Sequence, residues 1–156
     1  MNTSNFSESF SSGFSPLLSL VYVSASTYLM EEEELEDILR RSRENNSQLR
    51  LTGMLLYYDG AFMQVLEGPE NAVRQMYAHI SQDPRHRRII PLLEEYIPER
   101  SFSNWAMGFH RLKADEASHL DGFSSFAEID QFLEYFKGKP KNSMLLLKSF
   151  RDSTKR

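Results

Sequence analysis

The sequence predicts an α+β fold, a ferredoxin-like βαββαββ sandwich with two C-terminal helices on the opposite sheet face. Three observations predict it. Short β-forming stretches are interrupted by two amphipathic helical stretches, an Asp59-Gly60 dipeptide joins two of the strands, and two apolar helical stretches follow the last strand. A chain of 156 residues suits one domain with a real core and a short appendage. The reading divides it into a flexible N-terminal arm over 1–17, a main domain over 18–112 and a helical cap over 113–156.

Residues 18–24 alternate around β-formers and read as the first strand, with Leu18, Leu20, Tyr22 and Ser24 on one face. The acidic run 31–34 opens a helix, where negative charge meets the positive end of the helix dipole. Leu35, Ile38, Leu39 and Ser42 form its inner stripe. Strands over 51–58 and 61–67 flank Asp59-Gly60, the strongest short hairpin signal a sequence offers. Gly68-Pro69 stops the second of them, and Pro69 is placed at the first position of the next helix. Val73, Met76, Tyr77 and Ile80 then follow at i, i+3, i+4 and i+7, an amphipathic pattern. A fourth strand covers 89–97, with Pro91 marking an edge or bulge. A fifth covers 102–109, placing Trp105, Met107 and Phe109 on a common face. Helices over 126–136 (Phe126, Ile129, Leu133, Phe136) and 143–150 (Met144, Leu147, Phe150), separated by Gly138 and Pro140, can cover the remaining sheet face.

Composition narrows the function. Hydrophobic residues at 40% and charged residues at 26% read as a soluble globular chain. A net charge of -4 provides no field to hold a phosphate backbone, so nucleic acid is not an expected partner. No cysteine is present, which excludes disulfides, thiolate zinc sites and a cysteine nucleophile. The four histidines show no paired-ligand spacing, so no metal is expected. No apolar run approaches the ~20 residues that span a bilayer. The first seventeen residues lack Lys and Arg and make a poor secretory signal, so a cytoplasmic location is the expectation.

The informative residues are polar groups set into apolar faces. Asn46, eleven residues after Leu35, returns to within about 20° of it around the helix and so points inward. Capping of the fraying helix end is the other reading of Asn46. Gln64 shares its strand face with Phe62 and Leu66, unless the strand is inverted and Met63 and Val65 are the buried set. Tyr22 lies on the face of Leu18 and Leu20, where a core ring with a satisfied hydroxyl is the plainer reading. Together, a tyrosine, a glutamine and an asparagine converging between two helices can hydrogen-bond the edge of a planar heterocycle, because an amide presents donor and acceptor side by side.

A series of motifs resembles the BLUF family of blue-light sensors using flavin. They are LVYVS at 20–24, Asn46 with LTGML at 51–55, FMQVLEG at 62–68, DPRH at 83–86 and RSFSNWAM at 100–107, and the separations from Tyr22 to Asn46, Gln64 and Met107 match as well. The resemblance runs from about residue 20 to 109. It implies a flavin-binding domain with a non-covalent FAD, FMN or riboflavin being the alternative forms. By resemblance, Tyr22 gives an electron and proton to the excited flavin, and Gln64 lies between that phenol and the ring. Asn46 anchors the pyrimidine edge, and Ser24 with Trp105 or Met107 surrounds Gln64. Ile38 and Ile80 clamp the ring, while Asp83, Arg85 and His86 lie where the family binds the ribityl chain and phosphates. Nothing after Phe109 resembles an effector module, so a downstream protein partner or homo-oligomer is expected to receive the signal, with no enzymatic activity in the chain itself. Two rivals share the fold. An acylphosphatase-like hydrolase needs an Arg-rich anion loop after the first strand, which Ser24 to Thr27 do not offer; a nucleic-acid binder needs basic flanks beyond Arg85, Arg87 and Arg88.

Overall fold

The computed structural model describes residues 16–113 and 129–153. Strand β1 (Leu17–Ser26) leads to helix α1 (Glu32–Leu49), strands β2 (Thr52–Tyr58) and β3 (Ala61–Pro69), and helix α2 (Glu70–Ser81). Strands β4 (His86–Ile97) and β5 (Gly108–Arg111) follow, then helices α3 (Ile129–Gly138) and α4 (Pro140–Ser153). The βαββαββ order is therefore as predicted, and the fold is the ferredoxin-like α+β sandwich. Of the expected N-terminal arm, Leu17 belongs to β1 and residues 1–15 lie outside the described residues, as does Phe126.

The sheet runs β4-β1-β3-β2-β5, antiparallel except for β5, which lies parallel to β2. The β2–β3 turn has Asp59 at φ 47° and Gly60 at φ 96°, the two left-handed positions that a tight hairpin of matching twist requires. Pro91 sits on the edge strand β4 opposite Tyr22, where the register slips between Val21 and Tyr22. An edge tolerates the missing N–H of a proline. Glu31 caps α1, its N–H donating to Glu34 Oε1 at 3.0 Å, and Arg50 in the left-handed region (φ 61°) ends the helix. Pro69 is the N-cap of α2 rather than its first residue, since the β3 backbone runs extended through it.

Because β1 and β3 are central, both of their faces are buried. Gln64, Phe62 and Leu66 face α1 and α2, while Met63 and Val65 face the other layer, so the two readings of β3 are both realised. The second layer is closed by Phe132, Leu133 and Phe136 of α3 and Leu146 and Leu147 of α4.

The fifth strand departs from expectation. Residues 101–107 form turns, and only Gly108–Arg111 pair with β2. Their backbone groups are satisfied by distant partners instead of a ladder. The buried Glu67 carboxylate accepts the Ser101 and Phe102 N–H groups (2.9 and 2.6 Å), and Trp105 O accepts the Gly53 N–H (2.9 Å). Trp105 and Met107 consequently lie on opposite sides: Trp105 packs on the layer with α3 and α4, Met107 on the layer with α1 and α2.

Candidate functional site

A cleft opens between α1 and α2 over the centre of the sheet. Its floor is Tyr22, Leu55, Phe62 and Gln64, its walls are Ile38, Ser42 and Asn46 on one side and Met76 and Ile80 on the other, and Asp83, Arg85 and His86 stand at one end. Amphipathic periodicity places the walls, since each helix turns its stripe to the sheet and the next residues around the stripe line the gap.

Sheet register places the floor. Tyr22 and Gln64 are directly paired across β1 and β3, so their side chains rise from the same face as neighbours. The Tyr22 hydroxyl donates to Gln64 Oε1 at 2.6 Å, and both residues are buried. Gln64 Nε2 in turn donates to Met107 Sδ at 3.3 Å. The amide is thus held at both ends, by a strong contact and by a weak sulfur acceptor. Burial pushes the Tyr22 phenol well above its ordinary pKa, with Tyr77 and Asp83 adding to the shift, so the hydroxyl stays protonated across the accessible pH range. The Tyr77 ring meets that of Tyr22 edge-on at 5.7 Å.

Asn46 is buried as the helical geometry predicted. Its side chain does not cap α1; Nδ2 reaches across to Ala106 O at 2.9 Å, leaving Oδ1 available on the cleft wall. Ser24 lies on the expected face, but its hydroxyl pairs with His86 Nδ1 at 2.8 Å, because β4 begins at His86 beside β1 and brings the imidazole to it. Burial lowers the His86 pKa, opposed by Asp83. The Arg85 guanidinium binds both oxygens of Asp83, at 2.6 Å from Nη2 to Oδ2, and chiefly this bond holds the Asp83 carboxyl down to about 2. Trp105 is not among the residues lining the cleft.

Three residues contribute to which the sequence assigned no part in the site. Arg43 donates from Nε to Met107 O at 2.9 Å, one residue beyond the carbonyl that Asn46 holds. Glu67, fully buried, anchors the start of segment 101–107, and Tyr77 packs on the phenol. Glu67 had the same signal as Gln64, a polar residue in an apolar strand; Arg43 had none, being one of several arginines on an exposed helix.

The family profile described as sensors of blue-light using FAD matches residues 17–108. The chain belongs to the BLUF family. It is 40% identical over 96 residues to the photoactivated adenylate cyclase subunit beta of Euglena longa, a match covering 61% of this chain and 11% of that protein. It is 36% identical over 103 residues to the blue light- and temperature-regulated antirepressor BluF of Escherichia coli K12, covering 64% of this chain and 25% of that one. The chain thus spans only a small part of the curated relatives it matches. Among solved structures, BlrB, a BLUF protein in its dark state, superimposes with a TM-score of 0.62 at 34% identity, covering 69% of this chain and 80% of that one. The photo-activated state of BlsA gives 0.64 at 29%, covering 79% and 93%.

BLUF proteins are flavin sensors, and the donor set here fits such a ring. A flavin offers an imide N–H flanked by two carbonyls on one edge and two apolar faces. Asn46 Oδ1 supplies an acceptor, Gln64 a donor, and Ile38, Ile80, Leu55, Phe62 and Met76 supply apolar surface. Among the described residues no helix is long and apolar enough to cross a membrane, and no group of three His, Asp or Glu side chains could hold a metal.

Proposed function

We propose that the chain is a blue-light photoreceptor whose switch is the Tyr22–Gln64 hydrogen bond. The observation that carries this reading is the 2.6 Å contact between two buried polar groups on directly paired positions of the central strands, at the floor of the cleft. The bound flavin, FAD by the family's description, supplies absorption of blue light and an excited electron acceptor. Asn46 holds the imide edge, Ile38 and Ile80 clamp the faces, and Arg85 and His86 with Asp83 stand toward the ribityl and phosphate end.

Tyr22 is the electron and proton donor. It starts fully protonated, and loss of an electron makes a phenol strongly acidic, so its proton moves along the existing hydrogen bond to Gln64 Oε1. The amide then rotates or tautomerises, which changes the donors and acceptors it presents to Tyr22 and to Met107, and electron and proton return to the phenol. The net chemistry is zero; what remains is a changed hydrogen-bond pattern. No covalent bond to the chromophore is required, in keeping with a chain that has no cysteine.

Met107 is the residue that feels the amide turn, since its sulfur accepts from Gln64 Nε2. The signal passes from it through segment 101–107 to the α3–α4 layer and on to a protein partner or a further copy of the chain. The chain itself acts as a sensor, without turnover of a substrate, and works in the cytoplasm. Residues 18–112 form the flavin-binding unit, and α3 and α4 over 129–153 are the described part of the cap expected over 113–156.

The test is an absorption spectrum of the purified protein before and after blue light. A yellow protein with one releasable flavin per chain, whose bands move slightly to the red and return in darkness, is expected. A colourless protein that also refuses flavin during refolding contradicts the reading.

A further inference from the structure

Segment 101–107 is fastened to α1 by two successive carbonyls. Asn46 Nδ2 holds Ala106 O and Arg43 Nε holds Met107 O, both at 2.9 Å, while the Gly53 N–H holds Trp105 O at 2.9 Å from β2. Three consecutive carbonyls are therefore gripped by three different partners. The grip ends at Met107, whose sulfur accepts from Gln64 Nε2. That side chain lies over Gly53, where an added Cβ would stand 3.4 Å from Met107 Cε. Met107 Sδ hangs from a backbone held at its own carbonyl, so a shift of that carbonyl shifts the sulfur.

We infer that Arg43 is a positioning residue for the Gln64 switch, holding the Met107 carbonyl so that Met107 Sδ meets Gln64 Nε2. The inference rests on the reading of Gln64 as the switch. Asn46 has a second duty toward the chromophore, whereas Arg43 does not line the cleft and reaches the switch only through Met107. A guanidinium is planar and its Nε–H points in that plane in a fixed direction, which suits it to hold a carbonyl in register. The Sδ contact favours the amide orientation in which Oε1 faces Tyr22. Loosening the carbonyl weakens that preference without removing any group from the cleft.

The experiment is a double-mutant cycle in the rate of dark recovery, using flavin-loaded full-length chains of the parent, Arg43→Gln, Met107→Ala and the double variant. Arg43→Gln should bind flavin and show the red shift, with recovery changed about threefold or more, in the same direction as Met107→Ala. In the double variant Arg43→Gln should add almost nothing, because its effect passes through the side chain already removed. Arg40→Gln, which removes a helix-surface ion pair with Asp37 and contacts nothing in the segment, should recover like the parent. Hydrogen exchange of the Gly53 amide, measured in darkness, should quicken in Arg43→Gln alone among the two arginine variants. Recovery unchanged in Arg43→Gln, equal in Arg40→Gln, or additive in the double variant overturns the inference. A parent that binds flavin and never shifts overturns the switch reading beneath it, a failure distinguished by the parent's own spectrum.

Discussion

One sheet serves two unlike layers. Along β1, Val21, Val23 and Ala25 point to α3 and α4, while Leu20, Tyr22 and Ser24 point to α1 and α2. Along β3, Met63 and Val65 face α3 and α4, and Phe62, Gln64 and Leu66 face α1 and α2. The α3–α4 layer closes with Phe132, Leu133, Phe136, Leu146 and Leu147. The α1–α2 layer keeps a cleft and buries three uncharged hydrogen-bonding side chains around it. Each is hydrogen-bonded, Tyr22 to Gln64, Gln64 to Met107 and Asn46 to Ala106, so none carries the cost of about 1–3 kcal/mol that an unpaired buried group would. On the proposed function, the difference separates the residues that keep the domain folded from those that read a ligand, across a single thickness of backbone.

That separation is open to direct tests. The largest effect belongs to the apolar layer: Leu133→Ala, at a fully buried position, should cost about 2–5 kcal/mol in denaturant unfolding. The light-induced shift of the remaining folded protein should be unchanged. On the other side, Asn46→Ala removes both the acceptor toward the ring and the bond to Ala106, and flavin affinity in a titration should fall by about tenfold or more. A Leu133→Ala protein that loses its shift, or an Asn46→Ala protein that binds normally, would erase the distinction between layers.

A third change probes what joins them. Met107→Ala should retain flavin and the spectral shift, because methionine tolerates repacking and the colour reports only hydrogen bonds at the ring. Lost instead should be the light-minus-dark difference in hydrogen exchange over residues 110–156. An unchanged difference pattern places the relay elsewhere. Arg151 of α4 offers a physical link, donating to Ser101 O at 2.9 Å with its guanidinium over the Phe102 ring.

The smallest expected effects concern pH. The Tyr22 pKa is raised by burial, so the phenol is protonated at every pH from ~6 to ~9 and the amplitude of the shift should stay flat there. His86 is shifted the other way. Its folded pKa lies below the unfolded value of ~6.5, so the unfolded chain takes up the proton first and stability present at neutral pH is lost on acidification. His86→Asn should flatten that part of the unfolding profile between about pH 7 and 5. A parent whose stability is level over this window contradicts the neutral, Ser24-bonded imidazole.

Most of the framework was legible because its signals are local. Alternation gave β1 and β3, the Asp59-Gly60 turn took the predicted left-handed pair, and the angle between Leu35 and Asn46 put the amide inside. Gln64 stood out as an amide among apolar neighbours. Segment 101–107 was misread for the opposite reason. Phe102, Trp105 and Met107 are β-like side chains, but the backbone there answers to Glu67, Arg43, Asn46 and Gly53, partners 34 to 64 residues away in sequence. No local period carries that information. The same holds for Ser24, whose partner His86 is brought beside it only by sheet order.

The central claim is that Gln64 is the moving part, and its most direct test replaces the amide without emptying its site. Gln64→Leu keeps a similar volume, removes donor and acceptor together, and leaves Asn46 and the apolar walls in place. Absorption difference spectra, blue light minus dark, should show the reversible red shift in the parent and no shift in a Gln64→Leu protein carrying the same flavin. A Gln64→Leu protein that shifts and recovers like the parent would contradict the account.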